Sequence, residues 1–204
     1  MVGIPVIDTS PMTVDEFYAF ADTRPDEEKW ELIGGEPALN AAPSRLHQRI
    51  VKNVIVALEN RARELAALWE VLPGLGIRIS DTDRPEPDVV VVPSESPSLG
   101  LKERDTRDVI VAFEVLSPST KKRDLRWKRT AYPSLPSLTH YIVIAQDAVE
   151  VIAFARDDDF EGRKLRSLDD GIEMRSLSIS LPVTEIYRGT ASQRNCSGSV
   201  LAAV

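Results

Sequence analysis

Two apolar runs limit the folds open to this chain more than any other feature of its sequence. Residues 89–92 are four consecutive valines closed by Pro93, and residues 109–116 are apolar at almost every position. A strand that is apolar on both faces must be covered on both faces, as happens at the centre of a sheet flanked by other elements. The two runs therefore predict a sheet with a fully buried centre.

One acidic residue accompanies each run: Asp88 directly precedes the first, and Glu114 lies inside the second. A carboxylate in a core strand is costly unless it is paired, hydrogen-bonded or coordinated to a cation. Two carboxylates on neighbouring strands can hold one Mg²⁺ or Mn²⁺, which prefers oxygen ligands and can activate a water against a phosphodiester. The spacing leaves a second interpretation equally open, in which Asp88 is a turn residue and Glu114 pairs with a buried arginine.

Helical patterns occur in three places. Thr13 and Glu16 form a capping-box pattern that predicts a short helix over about 14–21. Apolar residues at three- and four-residue spacing predict the longest helix, from a cap at Ser44 to about Trp69. The third helix is predicted over about 121–131, and it must end before Pro133.

Strand patterns occupy most of the remaining chain. A two-glycine turn within residues 30–39 favours a hairpin, although Pro37 weakens its second arm. Three acidic residues at 157–159 are typical of a solvated turn between two strands. The other predicted strands lie within residues 71–79, 141–144, 148–155 and 171–181. Helices and strands in this order predict a mixed α/β or α+β sheet domain.

Length and composition favour one globular domain. We expect it to span residues 1–189 of the 204, with a flexible tail over 190–204. The apolar runs are too short for a membrane span, and the N-terminus does not resemble a secretory signal. The one cysteine, Cys196, excludes an internal disulfide framework and a cysteine-based zinc site. These features predict a cytoplasmic protein without a membrane partner.

The charge distribution is uneven. A formal net charge of −7 disfavours a nonspecific coat on nucleic acid, because a phosphate-binding surface needs cations. Residues 121–129, however, place six cations within nine positions. The nucleic-acid-binding residues predicted from this stretch are Lys121, Lys122, Arg123, Arg126 and Arg129.

Several motifs follow one another in an order that is typical of one family. They are Glu31-Leu32-Ile33-Gly34-Gly35-Glu36, His47, Pro87-Asp88 with the valine run, Glu114-Val115-Leu116-Ser117-Pro118-Ser119-Thr120, then Asp124, Lys128, Tyr132, and Tyr141-Ile142-Val143-Ile144. In residues 30–146 the chain resembles the Uma-type restriction endonuclease family of the PD-(D/E)XK nuclease superfamily. The resemblance implies a restriction-endonuclease-like mixed β-sheet core flanked by helices. It also implies that Asp88 and Glu114 are the metal ligands.

The resemblance also exposes a departure from the wider superfamily, whose motif has a lysine two residues after the second acid. That position is Leu116 here, and the Uma-type branch commonly carries an apolar residue there. We hypothesise that Lys128, one helix later, projects its ammonium back to the site, with Lys122 as the alternative. The competing interpretation is a solvent-facing basic helix.

Two further residues complete the predicted catalytic set of Asp88, Glu114, Lys128, Glu31 and His47. Glu31 can supply a third carboxylate, or it can be an ordinary glutamate on a strand surface. His47, near the start of the long helix, can position a phosphate or a water, or it can be a partly buried hydrogen-bonding residue.

The predicted function is therefore metal-dependent hydrolysis of DNA by an endonuclease that uses Mg²⁺ or Mn²⁺. It requires the carboxylates of Asp88 and Glu114 to converge within about 4–6 Å. The alternatives are a catalytically silent nuclease-fold module that binds protein or nucleic acid, and an interaction domain in which the acids are structural. A homodimer is a possible partner arrangement, because cutting both strands of a duplex often uses a two-fold pair of sites.

Overall fold

The computed structural model describes residues 10–95, 100, 103–116 and 121–190, with backbone only for 121–125. Its helices are α1 (Val14–Ala21), α2 (Arg45–Leu65), α3 (Lys121–Ala131) and α4 (Val183–Ile186). Its strands are β1 (Trp30–Ile33), β2 (Glu36–Leu39), β3 (Trp69–Pro73), β4 (Gly76–Ile77), β5 (Val89–Pro93), β6 (Asp105–Thr106), β7 (Val111–Leu116), β8 (His140–Ala145), β9 (Val151–Ala155), β10 (Arg163–Leu165), β11 (Gly171–Met174) and β12 (Ile179–Pro182).

A mixed sheet with the strand order β10-β9-β8-β7-β5-β3 forms the centre of the molecule. Only β7 and β8 run parallel within it, and α3 lies in the connection between them. Parallel neighbours need such a crossover, since a tight turn joins only antiparallel strands. The predicted mixed sheet flanked by helices is therefore confirmed.

The two apolar runs form the buried centre of this sheet, as predicted. Every residue of β7 and the four valines of β5 are buried. Successive side chains alternate between two apolar clusters. Val89 and Val91 pack on the face that α2 covers, whereas Val90 and Val92 pack on the other face with Tyr132. Both faces of the sheet are covered, as the apolar runs require.

The predicted starts of the first two helices are confirmed by their caps. Thr13 and Glu16 form both reciprocal hydrogen bonds of a capping box, and the Ser44 side chain accepts a hydrogen bond from the His47 N–H. The predicted end of α2 near Trp69 is wrong. Ala66 adopts a left-handed conformation that stops the helix after Leu65, and Trp69 instead pairs with Pro93 in the sheet.

Other element boundaries also shift. The segment predicted over 71–79 is divided between β3 and β4, and the strand predicted over 148–155 begins only at Val151. The segment 171–181 forms the antiparallel pair of β11 and β12. The acidic residues 157–159 do lie between two strands, β9 and β10.

The predicted tail is described only at its first residue. Thr190 is buried, and its hydroxyl donates to the Tyr187 carbonyl, so this residue is held in the fold. Residues 191–204 lie outside the described residues. Within the described ranges, no helix combines the length and apolarity that crossing a bilayer requires.

The β1–β2 hairpin forms at its two-glycine turn, as predicted. Gly34 and Gly35 have φ angles of +60° and +77°, which is the pair of positive values that a type I′ turn needs. Pro37 is tolerated opposite Leu32 in this short hairpin. Leu32 packs against Val14 and Phe17 of α1, so the hairpin carries the N-terminal helix.

The two turn glycines should differ in their tolerance of alanine. A Cβ at Gly34 meets no atom within 4 Å, whereas a Cβ at Gly35 would lie 2.3 Å from the Pro11 Cβ and 2.7 Å from its Cα. Gly34→Ala should therefore cost about 1–2 kcal/mol, from the left-handed backbone alone. Gly35→Ala should cost about 1–3 kcal/mol more, from overpacking. Urea unfolding of the two variants tests this, and equal losses would contradict it.

Candidate active site

Asp88 and Glu114 lie side by side at the end of the central strand pair. The register of β5 and β7 sets Val89 opposite Phe113, so the next positions along are Asp88 and Glu114. The Asp88 N–H donates to the Phe113 carbonyl at 3.1 Å, and an Asp88 carboxylate oxygen accepts from the Val115 N–H at 2.8 Å. Both acidic side chains line the same cavity.

A buried lysine joins two carboxylates behind this position. The Lys128 ammonium donates to Glu114 Oε1 at 2.5 Å and to Glu31 Oε1 at 2.8 Å. Lys128 is 2% exposed and Glu31 is 0% exposed. The interpretations of Lys128 as part of a solvent-facing helix and of Glu31 as a strand-surface residue are therefore wrong. Within the described residues, the cation paired with Glu114 is Lys128.

Neighbouring groups hold these carboxylates in place. The Tyr132 hydroxyl donates to Glu114 Oε1 at 3.3 Å, and burial raises the pKa of Tyr132 well above its ordinary value, so the hydroxyl keeps its proton. The Glu86 N–H donates to Glu31 Oε1 at 2.7 Å. Burial by itself would raise the pKa of Glu31, but Lys128 and this N–H outweigh burial and lower it.

Asp88 has a cationic and polar surrounding of its own. His47 Nε2 lies 3.0 Å from Asp88 Oδ1, and Lys29 Nζ lies 3.6 Å from the same oxygen. Burial would raise the pKa of Asp88, yet the hydrogen bond from His47, the charge of Lys29 and the Val115 N–H together lower it. Asp88 is therefore held as a carboxylate.

Gln146 also belongs to the site, although the sequence did not predict it. Its Nε2 donates to the Leu116 carbonyl at 2.7 Å and lies 3.5 Å from His47 Nδ1, while its Oε1 accepts from Ser44 at 3.0 Å. A carbonyl oxygen only accepts, which fixes the orientation of the amide. Because a donor then faces Nδ1, His47 is oriented to donate from Nε2 to Asp88.

These groups surround a cavity of about 570 Å³, within the size range of ligand sites in proteins. Lys29 also lines it and was likewise not predicted, since nothing in its sequence surroundings distinguishes it from other lysines. Glu31 is not among the lining residues, because it lies behind Lys128. The lining residues that belong to the candidate site are Lys29, His47, Asp88, Glu114, Lys128 and Gln146.

A divalent ion such as Mg²⁺ needs oxygen ligands, and the cavity offers carboxylates. Across the described parts of the chain, no three His, Cys, Asp or Glu side chains are grouped so as to enclose a metal. Asp88 and Glu114 nevertheless present two carboxylates to one cavity, and Mg²⁺ is commonly held by one or two carboxylates with water as the remaining ligands. The residues therefore fit a two-carboxylate site open to water.

The basic helix is described only in part. Arg126 and Arg129 are exposed, and the Arg129 guanidinium lies 5.5 Å from the centre of the Phe154 ring. The side chains of Lys121, Lys122 and Arg123 lie outside the described residues. The choice of Lys122 as the replacement lysine therefore stays a prediction.

The fold of this chain is shared with a protein of solved structure. A solved structure with a TM-score of 0.68 and 18% sequence identity covers 86% of this chain and 97% of its own. That protein is described as a "putative nuclease belonging to DUF820" from Anabaena variabilis. At this level of identity the likeness shows a shared fold and no more.

Sequence relationships place the chain within a family. The Uma2 model, described as "Putative restriction endonuclease", matches residues 14–185, and the chain belongs to that family. It is also 35% identical over 82 residues to the uncharacterized protein slr1290 of Synechocystis. That alignment covers 40% of this chain and 43% of slr1290, less than half of either. The predicted family resemblance is confirmed.

The lowered pKa of Glu31 predicts an acid-sensitive fold. Since this pKa lies below the ordinary value of 4.5, ionised Glu31 stabilises the fold above about pH 4.5, and that contribution is lost as the pH falls through the folded-state pKa. Glu31→Gln should lower the free energy of unfolding by about 1–3 kcal/mol at pH 7. The stability of this variant should also fall less steeply towards acid pH, and the fall that remains should come in part from Asp88, whose pKa is lowered as well.

Urea unfolding between about pH 7 and pH 3.5 measures both effects. Glu36→Gln, at an exposed position of the same hairpin, is the matched control and should resemble the parent chain. An acid limb that is as steep in Glu31→Gln as in the parent would show that Glu31 is not the stabilising carboxylate.

Proposed function

We propose that this protein is a divalent-metal-dependent endonuclease that hydrolyses DNA phosphodiester bonds in the cavity beside Asp88. The observation that carries the proposal is the buried Lys128 ammonium, held between Glu114 and Glu31 at the wall of that cavity. It supplies, from a helix, the positive charge that the wider superfamily supplies from the position of Leu116. Membership of a family described as restriction endonucleases supports the same reaction.

Asp88 and Glu114 are the residues that would hold Mg²⁺ or Mn²⁺. When bound, the metal would polarise the phosphodiester and favour ionisation of the attacking water. The carboxylates are prepared for this role. Asp88 has a lowered pKa and is oriented by His47 and the Val115 N–H. Glu114 is oriented by Lys128 and Tyr132.

Lys128 acts on the substrate side in this proposal. A buried ammonium that two carboxylates hold in place can stabilise negative charge that grows on a phosphoryl oxygen, and it needs no reorganisation at the moment of reaction. Glu31, which lies behind the lysine, does not line the cavity. We therefore assign Glu31 as a positioning residue for Lys128 and not as a third metal ligand.

His47 is also assigned as a positioning residue. Its Nε2 contacts Asp88, and the amide of Gln146 faces its other ring nitrogen. Partners of this kind fix the orientation of a metal-ligating carboxylate, and their loss typically costs about 10–100-fold in metal affinity or activity.

One alternative has an observation of its own. Leu116 occupies the position of the superfamily lysine, and the formal net charge is −7. Both features favour a nuclease fold that has lost cleavage and keeps a binding role. A homodimer would pair two sites for cutting both strands, and it stays a prediction.

Cleavage assays separate these functions. The purified protein is incubated with plasmid, oligonucleotide and RNA substrates in Mg²⁺, Mn²⁺ or EDTA. We expect metal-dependent cleavage of DNA that falls at least about 100-fold in Asp88→Asn, Glu114→Gln and Lys128→Met. Lys164→Met, an exposed substitution in β10 with the same change in charge as Lys128→Met, is the matched control and should cleave like the parent chain.

The outcomes against the proposal are specific. Cleavage that persists in Asp88→Asn would assign the activity to another site or to a contaminant. Unchanged cleavage by Lys128→Met would remove Lys128 from the mechanism. No cleavage by the parent chain in any metal would favour the silent module. Because Lys128→Met leaves two buried carboxylates without their lysine, thermal unfolding must show that the variant is folded before its rate is interpreted.

A further inference from the structure

The backbone of Lys29 is hydrogen-bonded, and its side chain is partly exposed at the cavity. Its carbonyl accepts a hydrogen bond of 2.9 Å from the Asn40 N–H at the base of the β1–β2 hairpin. Its side chain is 32% exposed and lines the cavity that Asp88 and Glu114 also line. The backbone therefore holds the residue at the cavity, while its four-carbon stem has rotatable bonds that let the ammonium reach other positions.

The two acidic neighbours of Lys29 have closer partners. The Lys29 ammonium is 3.6 Å from Asp88 Oδ1 and 4.0 Å from Glu86 Oε1, beyond the 2.7–2.9 Å of charge-assisted hydrogen bonds. Asp88 already contacts His47 at 3.0 Å, and Glu86 contacts Arg84 at 2.5 Å. Neither acid depends on Lys29 for a hydrogen bond, so Lys29 is the loosest member of this network.

The part of the cavity wall that the structure describes has more acidic than basic side chains. Among its described lining residues, the lysines and arginines are Lys29 and Lys128 alone. Lys128 is buried and engaged by two carboxylates. The acidic lining residues are Glu27, Glu28, Glu86, Asp88 and Glu114. Besides the fixed ammonium of Lys128, a polyanion that enters such a cavity needs a cation that can leave its present partner and meet a second phosphate.

We infer that Lys29 is a phosphate-binding residue of the substrate site. Without a metal its ammonium pairs with Asp88, and it becomes available to a phosphate when a divalent cation binds that carboxylate. The inference rests on the proposed nuclease function. Lys29 then has two properties that a purely structural lysine lacks. The ammonium competes with a divalent cation for Asp88, and it contacts a DNA phosphate once that cation is bound.

The salt dependence of DNA binding tests the phosphate contact. Binding of a short labelled duplex is followed by fluorescence anisotropy over a range of KCl concentrations, in Ca²⁺ and in EDTA. Ca²⁺ takes the same class of oxygen ligands, and gels confirm that the duplex stays intact. For one lost phosphate contact, Lys29→Met should reduce the slope of log K against log[KCl] by about 0.9 in Ca²⁺ and by much less in EDTA.

Two variants make this result specific. Lys164→Met removes the same charge at an exposed position of β10, and it should leave the slope of the parent chain. Lys29→Arg keeps a cation on a flexible stem and should restore most of the slope. The inference would be overturned if, in Ca²⁺, Lys29→Met and the parent chain gave the same slope of log K against log[KCl].

Metal affinity tests the competition without DNA or cleavage. Removing an ammonium 3.6 Å from Asp88 should tighten Mn²⁺ binding, and we expect a Kd about two- to tenfold lower for Lys29→Met by titration calorimetry. Lys164→Met should not change it. Unchanged or weaker Mn²⁺ binding by a folded Lys29→Met variant would contradict the reserve role.

Failure of the inference can be told apart from failure of the proposed function. If the parent chain binds and cleaves DNA while Lys29→Met shows the parent slope and the parent Mn²⁺ affinity, only the assignment of Lys29 is wrong. If the parent chain neither binds nor cleaves DNA in any metal, the proposed function fails and the role of Lys29 fails with it.

Discussion

The contact of the Lys128 ammonium with Glu31 and Glu114 joins three elements that are distant in sequence: the β1–β2 hairpin, the centre of the sheet and α3. Taking such charges out of water costs several kcal/mol for each ion, and only close pairing offsets that cost. Each partner is therefore required by the others. This contact ties the hairpin, the strand and the helix together around the cavity.

The same contact explains how a lysine can serve the acidic centre from a helix. Leu116 is buried in the apolar cluster that includes Tyr132 and Val143, so that position contributes to the core. The parallel crossover from β7 to β8 returns α3 over the sheet beside Glu114. A charged group from α3 then reaches the centre, while the strand keeps an apolar residue that the fold uses for stability.

Much of the fold could be predicted because it depends on local rules. The caps at Thr13 and Ser44 are formed by atoms three residues apart, and the two-glycine turn needs only the positive φ angles that glycine adopts readily. The end of α2 could not be predicted, because its helical periodicity continues past Leu65. What stops the helix is the left-handed Ala66 and the pairing of Trp69 with Pro93, a residue more than twenty positions away.

The position of Asp88 and Glu114 beside the central strands follows from the sequence alone, since apolar runs dictate burial and the acids interrupt or flank them. The partners of those acids follow only from the packing of the whole chain. Glu31 is buried behind Lys128, and Lys29 and Gln146 reach the cavity from separate loops. Side-chain identity sets what a residue can bind, but contacts between residues about a hundred positions apart depend on how the whole chain packs.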